Sequence, residues 1–254
     1  MPSQFDPKKH SAPAMALPII LLLDVSSSME GAKIDSLNRA VEDMLNTLKR
    51  EEEKYMESEY HVAAITFASS AERRLPYTKA SLIKWQTLRA GGTTNLGEAL
   101  TLAKEMIEGH KRPPQTYYYY PVVILVSDGQ PTDERGRPSD AWEKPLEDFI
   151  TSGRSAKCDR MALAIGDDAV ENVLNRFLKG SQYRLFKAKE AGGIPVFFQW
   201  VTRTVTEIFY TRSQSQNPAP PEIKPDGSSL KSAPSAKSQD GTGDGDDEEE
   251  TRWM

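Results

Sequence analysis

Two stretches of the chain are apolar without interruption, residues 17–23 and 121–126. Both are shorter than the roughly 20 apolar residues that a bilayer span needs. Neither alternates polar with apolar, so each reads as a strand buried on both faces of a parallel sheet. Elsewhere the spacing is helical. Ile34, Leu37, Val41, Met44, Leu45 and Leu48 make one apolar face and predict a helix over 33–49. The charged run 50–54 reads as its solvated end. Residues 60–68 predict a second strand, 69–72 a polar turn, and 73–77 an antiparallel return at the sheet edge, where Pro76 is harmless. Leu82, Ile83, Trp85 and Leu88 suggest a short helical or irregular segment. Leu96, Leu100, Ala103, Met106 and Ile107 line a helix, and the tyrosines at 117–120 lead into the strand at 121–126. Residues 131–138 form a polar loop. Helices are predicted around Trp142, Leu146, Phe149 and Ile150, and around Val170, Val173, Leu174 and Phe177. Strands are predicted over 160–166 and 183–186, and Phe197, Val201, Thr204 and Ile208 stripe a closing helix. Strand alternating with helix predicts an α/β fold: a doubly wound, mainly parallel, Rossmann-like sheet with one antiparallel edge strand. Trp85, Trp142 and Trp200 read as packing residues.

The ends depart from this pattern. Residues 1–15 read as a flexible leader, 16–211 as the domain, and 212–254 as a Ser/Pro-rich tail with an acidic end. The tail offers few large apolar side chains, so burial cannot offset the entropy of ordering it, and it is expected to be disordered. Lys8, Lys9 and His10 before an apolar run imitate a signal peptide. No small-residue cleavage site follows, and cleavage there would destroy a central strand. The expectation is a cytoplasmic protein with no membrane span. The chain has 254 residues, a net charge of −5 and a single cysteine, Cys158. That balance gives no footprint for nucleic acid. One cysteine excludes a disulfide framework. Cys158, beside Lys157, Asp159 and Arg160, is expected near the surface.

Candidate chemistry sits where the apolar runs stop. The first ends in Asp24-Val25-Ser26-Ser27-Ser28 and the second in Ser127-Asp128-Gly129. Ligand sites of open α/β sheets lie at such carboxyl ends. If residues 24–28 stayed extended, Asp24 and Ser28 would be about 13 Å apart. To share an ion whose ligands stand at about 2.1 Å, the chain must curl just after Asp24. The same serines could instead cap the next helix. Between the two strands lies Gly91-Gly92-Thr93-Thr94-Asn95-Leu96-Gly97, which opens a helix. With the first and fourth strands adjacent, all three loops converge. They offer two carboxylates and several hydroxyls but no thiolate or imidazole, a hard-cation set suited to Mg²⁺ or Mn²⁺.

Asp24-x-Ser26-x-Ser28, then Thr94, then Ser127-Asp128-Gly129 resemble the metal-ion-dependent adhesion site (MIDAS) of von Willebrand factor A domains. The resemblance spans about residues 16–210. Residues 17–29, 91–100, 128–133 and 164–168, with the aromatic closing helix around Phe197, Phe198 and Trp200, resemble the bacterial tellurium-resistance (TerY-like) branch. Two threonines follow Gly91-Gly92 where relatives usually have one. Thr94 aligns with the ligand because 94–100 fits the helix start, and Thr93 is the alternative. The resemblance implies a metal held by Asp24, Ser26, Ser28, Thr94 and Asp128, with Asp128 reaching it through water. It also implies a partner protein whose Asp or Glu carboxylate completes the shell. In that branch such domains serve stress response or signalling beside kinases and phosphatases. Related domains also act as adaptors for ATP-driven remodelling machines.

Catalysis is less well supported. The stretch Asp24-Val25-Ser26 lacks the second acid that aspartate-nucleophile phosphatases carry two residues on. There is no Gly-x-Ser-x-Gly elbow, and residues 91–97 lack the Gly-Lys-Ser/Thr ending of a phosphate loop. His10, His61 and His110 fall in the leader, at a strand start and at a helix end. A metal-dependent hydrolase is therefore the weaker alternative to a binding module.

Overall fold

A computed structural model describes residues 14–55, 58–110, 116–166 and 171–214. The elements, in order, are β1 (Ala14–Asp24), α1 (Ala32–Lys54), β2 (Ser58–Phe67), β3 (Ala71–Lys79), α2 (Leu96–Gly109), β4 (Thr116–Tyr118), β5 (Val122–Ser127), α3 (Glu143–Thr151), β6 (Asp159–Ile165), α4 (Glu171–Phe177), β7 (Phe186–Ala188) and α5 (Gly193–Gln214). The sheet runs β3-β2-β1-β5-β6-β7, with β4 also on β1. Every pairing is parallel except β2 with β3. The α/β, mainly parallel, Rossmann-like architecture with one antiparallel edge strand is thus the one expected.

β1 shows why an unbroken apolar run was needed. Leu17, Ile19, Leu21 and Leu23 face α1 and α5, where they meet Leu37, Val41, Phe197 and Val201. Ile20 and Leu22 face the other layer, with Leu100, Phe149 and Phe177 from α2, α3 and α4. β1 pairs with β4 through Ala14–Ala16 and with β5 through Ile19–Leu23. Pro18, which cannot donate to a ladder, falls between those two registers.

Several expectations shift in detail. α1 runs on through the charged segment to Lys54, and Glu52 within it is buried, not solvated. Its carboxylate accepts from the backbone N–H of Tyr60 (2.8 Å) and of Ser81 (3.0 Å), which ties the helix end to β2 and to the 3₁₀ turn over Ala80–Leu82. The segment after that turn has no regular structure, the irregular alternative of the two expected. The last strand is Phe186–Ala188, later than expected, because Tyr183 packs edge-on against Trp200 instead of joining a ladder. Cys158 is buried, not near the surface; its thiol lies against the Arg154 carbonyl, and burial pushes its pKa up to about 12. Such a thiol is inert at neutral pH. Trp142 and Trp200 are core residues, and Trp85 is partly buried. No helix among the described residues is long and apolar enough to cross a membrane. Ala14 and Met15, expected in the leader, belong to β1, and residues 212–214, expected in the tail, belong to α5. Residues 1–13, Asp167, Asp168, Val170 and residues 215–254, the acidic end among them, lie outside the described residues.

Candidate metal centre

Asp24 closes β1, and Asp128 follows the last residue of its neighbour β5. The register Leu23↔Val126 sets the two strand ends side by side. After Asp24 the chain curls at once. The Ser26 N–H donates back to Asp24 Oδ1 (2.9 Å), and a 3₁₀ turn over Ser27–Met29 follows. The serines do not cap a helix: the residue before α1 is Gly31, and no side chain caps that helix or the 3₁₀ turn. Gly31 has φ +76, which lets the chain turn from the site into α1.

A chain of hydrogen bonds joins four of the five candidate ligands. Ser26 Oγ lies 2.9 Å from Ser28 Oγ, and Ser28 Oγ donates to Asp128 Oδ1 at 2.7 Å. Ser127 Oγ donates to Asp24 Oδ2 at 2.6 Å. Asp24, Ser26 and Asp128 are buried, while Ser28 is exposed at the mouth. The fifth candidate comes from the glycine-rich loop. Ser27 N–H donates to the Gly92 carbonyl (3.0 Å) and Gly91 N–H to the Val25 carbonyl (2.8 Å), strapping that loop to the curl. Gly92 has φ +87, and a Cβ there would stand 2.6 Å from Ser69 Oγ, so only glycine fits. Thr94 is buried and clamped by Thr132, whose hydroxyl accepts from Thr94 N–H and whose N–H donates to the Thr94 carbonyl. The Thr93 hydroxyl is turned away, to Ser69 Oγ at 3.3 Å. Asn95 caps α2 by accepting from Glu98 N–H.

Burial dominates the electrostatics. It pushes the Asp24 carboxyl up to about 6; the hydrogen bonds from Ser127 and Ser26 oppose this, and the charge of Asp128 adds to it. No cation pairs with Asp24 among the described residues, so its ionised form lacks a counter-charge. The described residues hold no cluster of three or more His, Cys, Asp or Glu side chains able to bind a metal. This site has two carboxylates, and hydroxyls supply the remaining oxygens. A buried, uncompensated carboxylate among neutral oxygen donors fits a hard divalent cation.

Three contributors lie outside the expected ligand set: Ser127, which stood in the Ser127-Asp128-Gly129 motif without a role, and Lys33 and Asn38, which the sequence did not single out. Ser127 fixes the second oxygen of Asp24. Lys33 donates to Asp128 Oδ2 at 2.5 Å. Asn38 is buried on α1; its Oδ1 accepts from Leu88 N–H at 2.7 Å, and its Nδ2 donates to the Leu88 carbonyl at 3.0 Å. That pair pins the segment leading into Gly91. A polar residue inside the apolar stripe Ile34-Val41-Leu45 was the available signal for it.

The von Willebrand factor type A domain profile matches residues 19–199. This chain belongs to that family. The von Willebrand factor type A fold recurs in solved structures of low identity. The pilus adhesin SpaC from Lactobacillus rhamnosus GG matches with TM-score 0.61 and 17% identity, over 77% of this chain and 30% of the adhesin. The ArnB paralog VWA2 from Sulfolobus acidocaldarius matches with TM-score 0.53 and 16% identity, over 72% of this chain and 44% of the other. Proximal thread matrix protein 1 from the mussel byssus, solved with a zinc-occupied MIDAS motif, matches with TM-score 0.52 and 16% identity, over 74% of this chain and 48% of the other. This domain therefore spans less than half the length of each of these relatives. Comparison with curated proteins gives no match.

Proposed function

We propose that this von Willebrand factor type A domain is a divalent-metal-dependent protein-binding module. Asp24, Ser26, Ser28, Thr94 and Asp128 hold Mg²⁺ or Mn²⁺ at the carboxyl edge of β1 and β5. The observation that carries the reading is the linked cluster of two buried carboxylates and the serines between them, open to solvent at Ser28. The bound ion supplies an electrophilic position for an Asp or Glu carboxylate of a partner. Asp24, fixed from two sides by Ser26 and Ser127, holds its oxygens in place without rearrangement. Asp128, backed by Ser28 and Lys33, supplies the second negative charge. Thr94, clamped by Thr132, and the two serines add oxygens without charge, so the ion's charge is only formally balanced and a further anion is attracted.

Binding is favoured over hydrolysis by what surrounds the site. His61 pairs with Pro18, six residues before Asp24 on β1, about 20 Å away along the strand. Its ring nitrogens face Glu59 and Tyr118 instead. No imidazole stands at the site among the described residues to serve as a general base. The narrower reading is a tellurium-resistance-type adaptor in the cytoplasm with a kinase or phosphatase partner, and it rests on motif resemblance.

The test is retention of a cellular partner on the immobilised wild-type protein in Mg²⁺. The expected result is release of that partner by chelator and its loss with Asp24→Ala. A partner held equally well in chelator, or by Asp24→Ala, would contradict the metal-dependent reading.

A further inference from the structure

Lys33 introduces a positive charge that the five-residue ligand set does not contain. It stands in the first turn of α1, just past the Gly31 turn. Its ammonium donates to Asp128 Oδ2 at 2.5 Å and to the Ser28 carbonyl at 3.2 Å. Both oxygens of Asp128 are thereby engaged: Oδ1 takes the Ser28 hydroxyl and Oδ2 takes Lys33. The Asp128 side chain is fully buried, whereas that of Lys33 is 30% exposed.

We infer that Lys33 is a resident counter-ion of Asp128 that competes with the divalent ion and so sets the affinity of the site. The inference rests on the metal-binding reading above. A buried carboxylate without a partner is costly, and an ammonium against it relieves that cost before any metal arrives. A divalent ion held by the neighbouring oxygens of Ser26 and Ser28 repels the ammonium at short range. Lys33 can yield because its side chain is 30% exposed, and a lysine stem swings outward at small cost. The ammonium therefore stabilises the empty site more than the filled one. Metal affinity must then be lower than five oxygen ligands alone would give. Once displaced, the ammonium stays at the rim of the site, where an incoming carboxylate would meet it.

The test is Mn²⁺ affinity, measured by electron paramagnetic resonance of free Mn²⁺, for wild type, Lys33→Met, Lys33→Gln and Lys33→Arg. Gln can still donate one hydrogen bond to Asp128, so it guards against loss of the fold in the Met variant. Removing the charge should tighten binding about tenfold, about 1.4 kcal/mol. Lys33→Arg keeps the charge and should stay near wild type. If wild type binds Mn²⁺ and both neutral variants bind it equally or more weakly, the counter-ion inference fails and the metal reading survives. If neither wild type nor the neutral variants bind Mn²⁺, both fail together.

Discussion

Replacing Asp24 by asparagine raises the melting temperature of the metal-free domain at pH 7.5, by about 6–12 °C, and abolishes its divalent-ion binding. The gain follows from the cost of an ionised carboxylate buried without a counter-charge. In the folded chain the Asp24 carboxyl titrates at about 6, against an ordinary value of 3.8. The folded state therefore binds the extra proton across that window, and its stability falls as pH rises from about 4 to 6. Above pH 6 the full cost persists, about 3 kcal/mol at about 1.4 kcal/mol per unit. Each kcal/mol moves the melting point of a domain this size by about 2–4 °C. Asparagine keeps the geometry: its oxygen accepts from Ser26 N–H, and its amide donates to Ser127 Oγ. The serine hydroxyl can then turn to the Gly129 carbonyl, which it already approaches at 3.4 Å. Thermal melts in chelator at pH 7.5 and pH 5 check this. The gain should shrink at pH 5, where the wild-type carboxyl is already protonated. A lower melting point for the variant at pH 7.5 would show that ionised Asp24 stabilises the empty fold.

Arg160→Ala destabilises the domain by about 3–5 kcal/mol, because several backbone carbonyls lose their donor at about 1–3 kcal/mol for each one left buried. Arg160 is buried at the start of β6, where its guanidinium acts as a clamp. Nε donates to the Phe177 carbonyl at 2.9 Å, and the terminal nitrogens reach the carbonyls of Lys179 (2.8 Å), Cys158 (3.2 Å) and Ala156 (3.5 Å). These carbonyls lie at the end of α4, in the turn that follows it, and in the turn entering β6. Alanine would strand them and leave a void. The melting point should fall by about 6–20 °C. Arg160 pairs with Val123, five residues before Asp128 and about 17 Å along the strand from it. Metal affinity below the new melting point should therefore be unchanged. A shift under about 2 °C would show that these carbonyls find other donors.

How much of this the sequence carried depended on whether a feature was local. β1 and β5 were legible because burial on both faces demands an unbroken apolar run, and that run ends where the site begins. The curl after Asp24 was expected on the condition that residues 24–28 share one ion, and the chain does turn there, in a 3₁₀ turn over Ser27–Met29. Burial of Glu52 and Arg160 was not legible. Each is a charged residue in a charged run, and what buries it is a set of backbone groups brought in by tertiary packing. Lys33 looked like an ordinary helix-start residue, and its contact with Asp128 spans 95 positions. Thr93 and Thr94 are adjacent and of one residue type, and the contacts that tell them apart, Ser69 on the Thr93 hydroxyl and Thr132 on the Thr94 backbone, come from two other loops. The strand expected over 183–186 begins only at Phe186, and Tyr183 packs on Trp200 instead.

The central claim is that Asp24 and Asp128 form one divalent-ion site with the hydroxyls between them. Calorimetric titration of the full chain with Mn²⁺, wild type beside Asp128→Ala, tests it most directly, with circular dichroism to check that both are folded. The account predicts one saturable Mn²⁺ per chain in the wild type and none in the folded variant. Equal Mn²⁺ binding by both proteins, or none by the wild type, would contradict it.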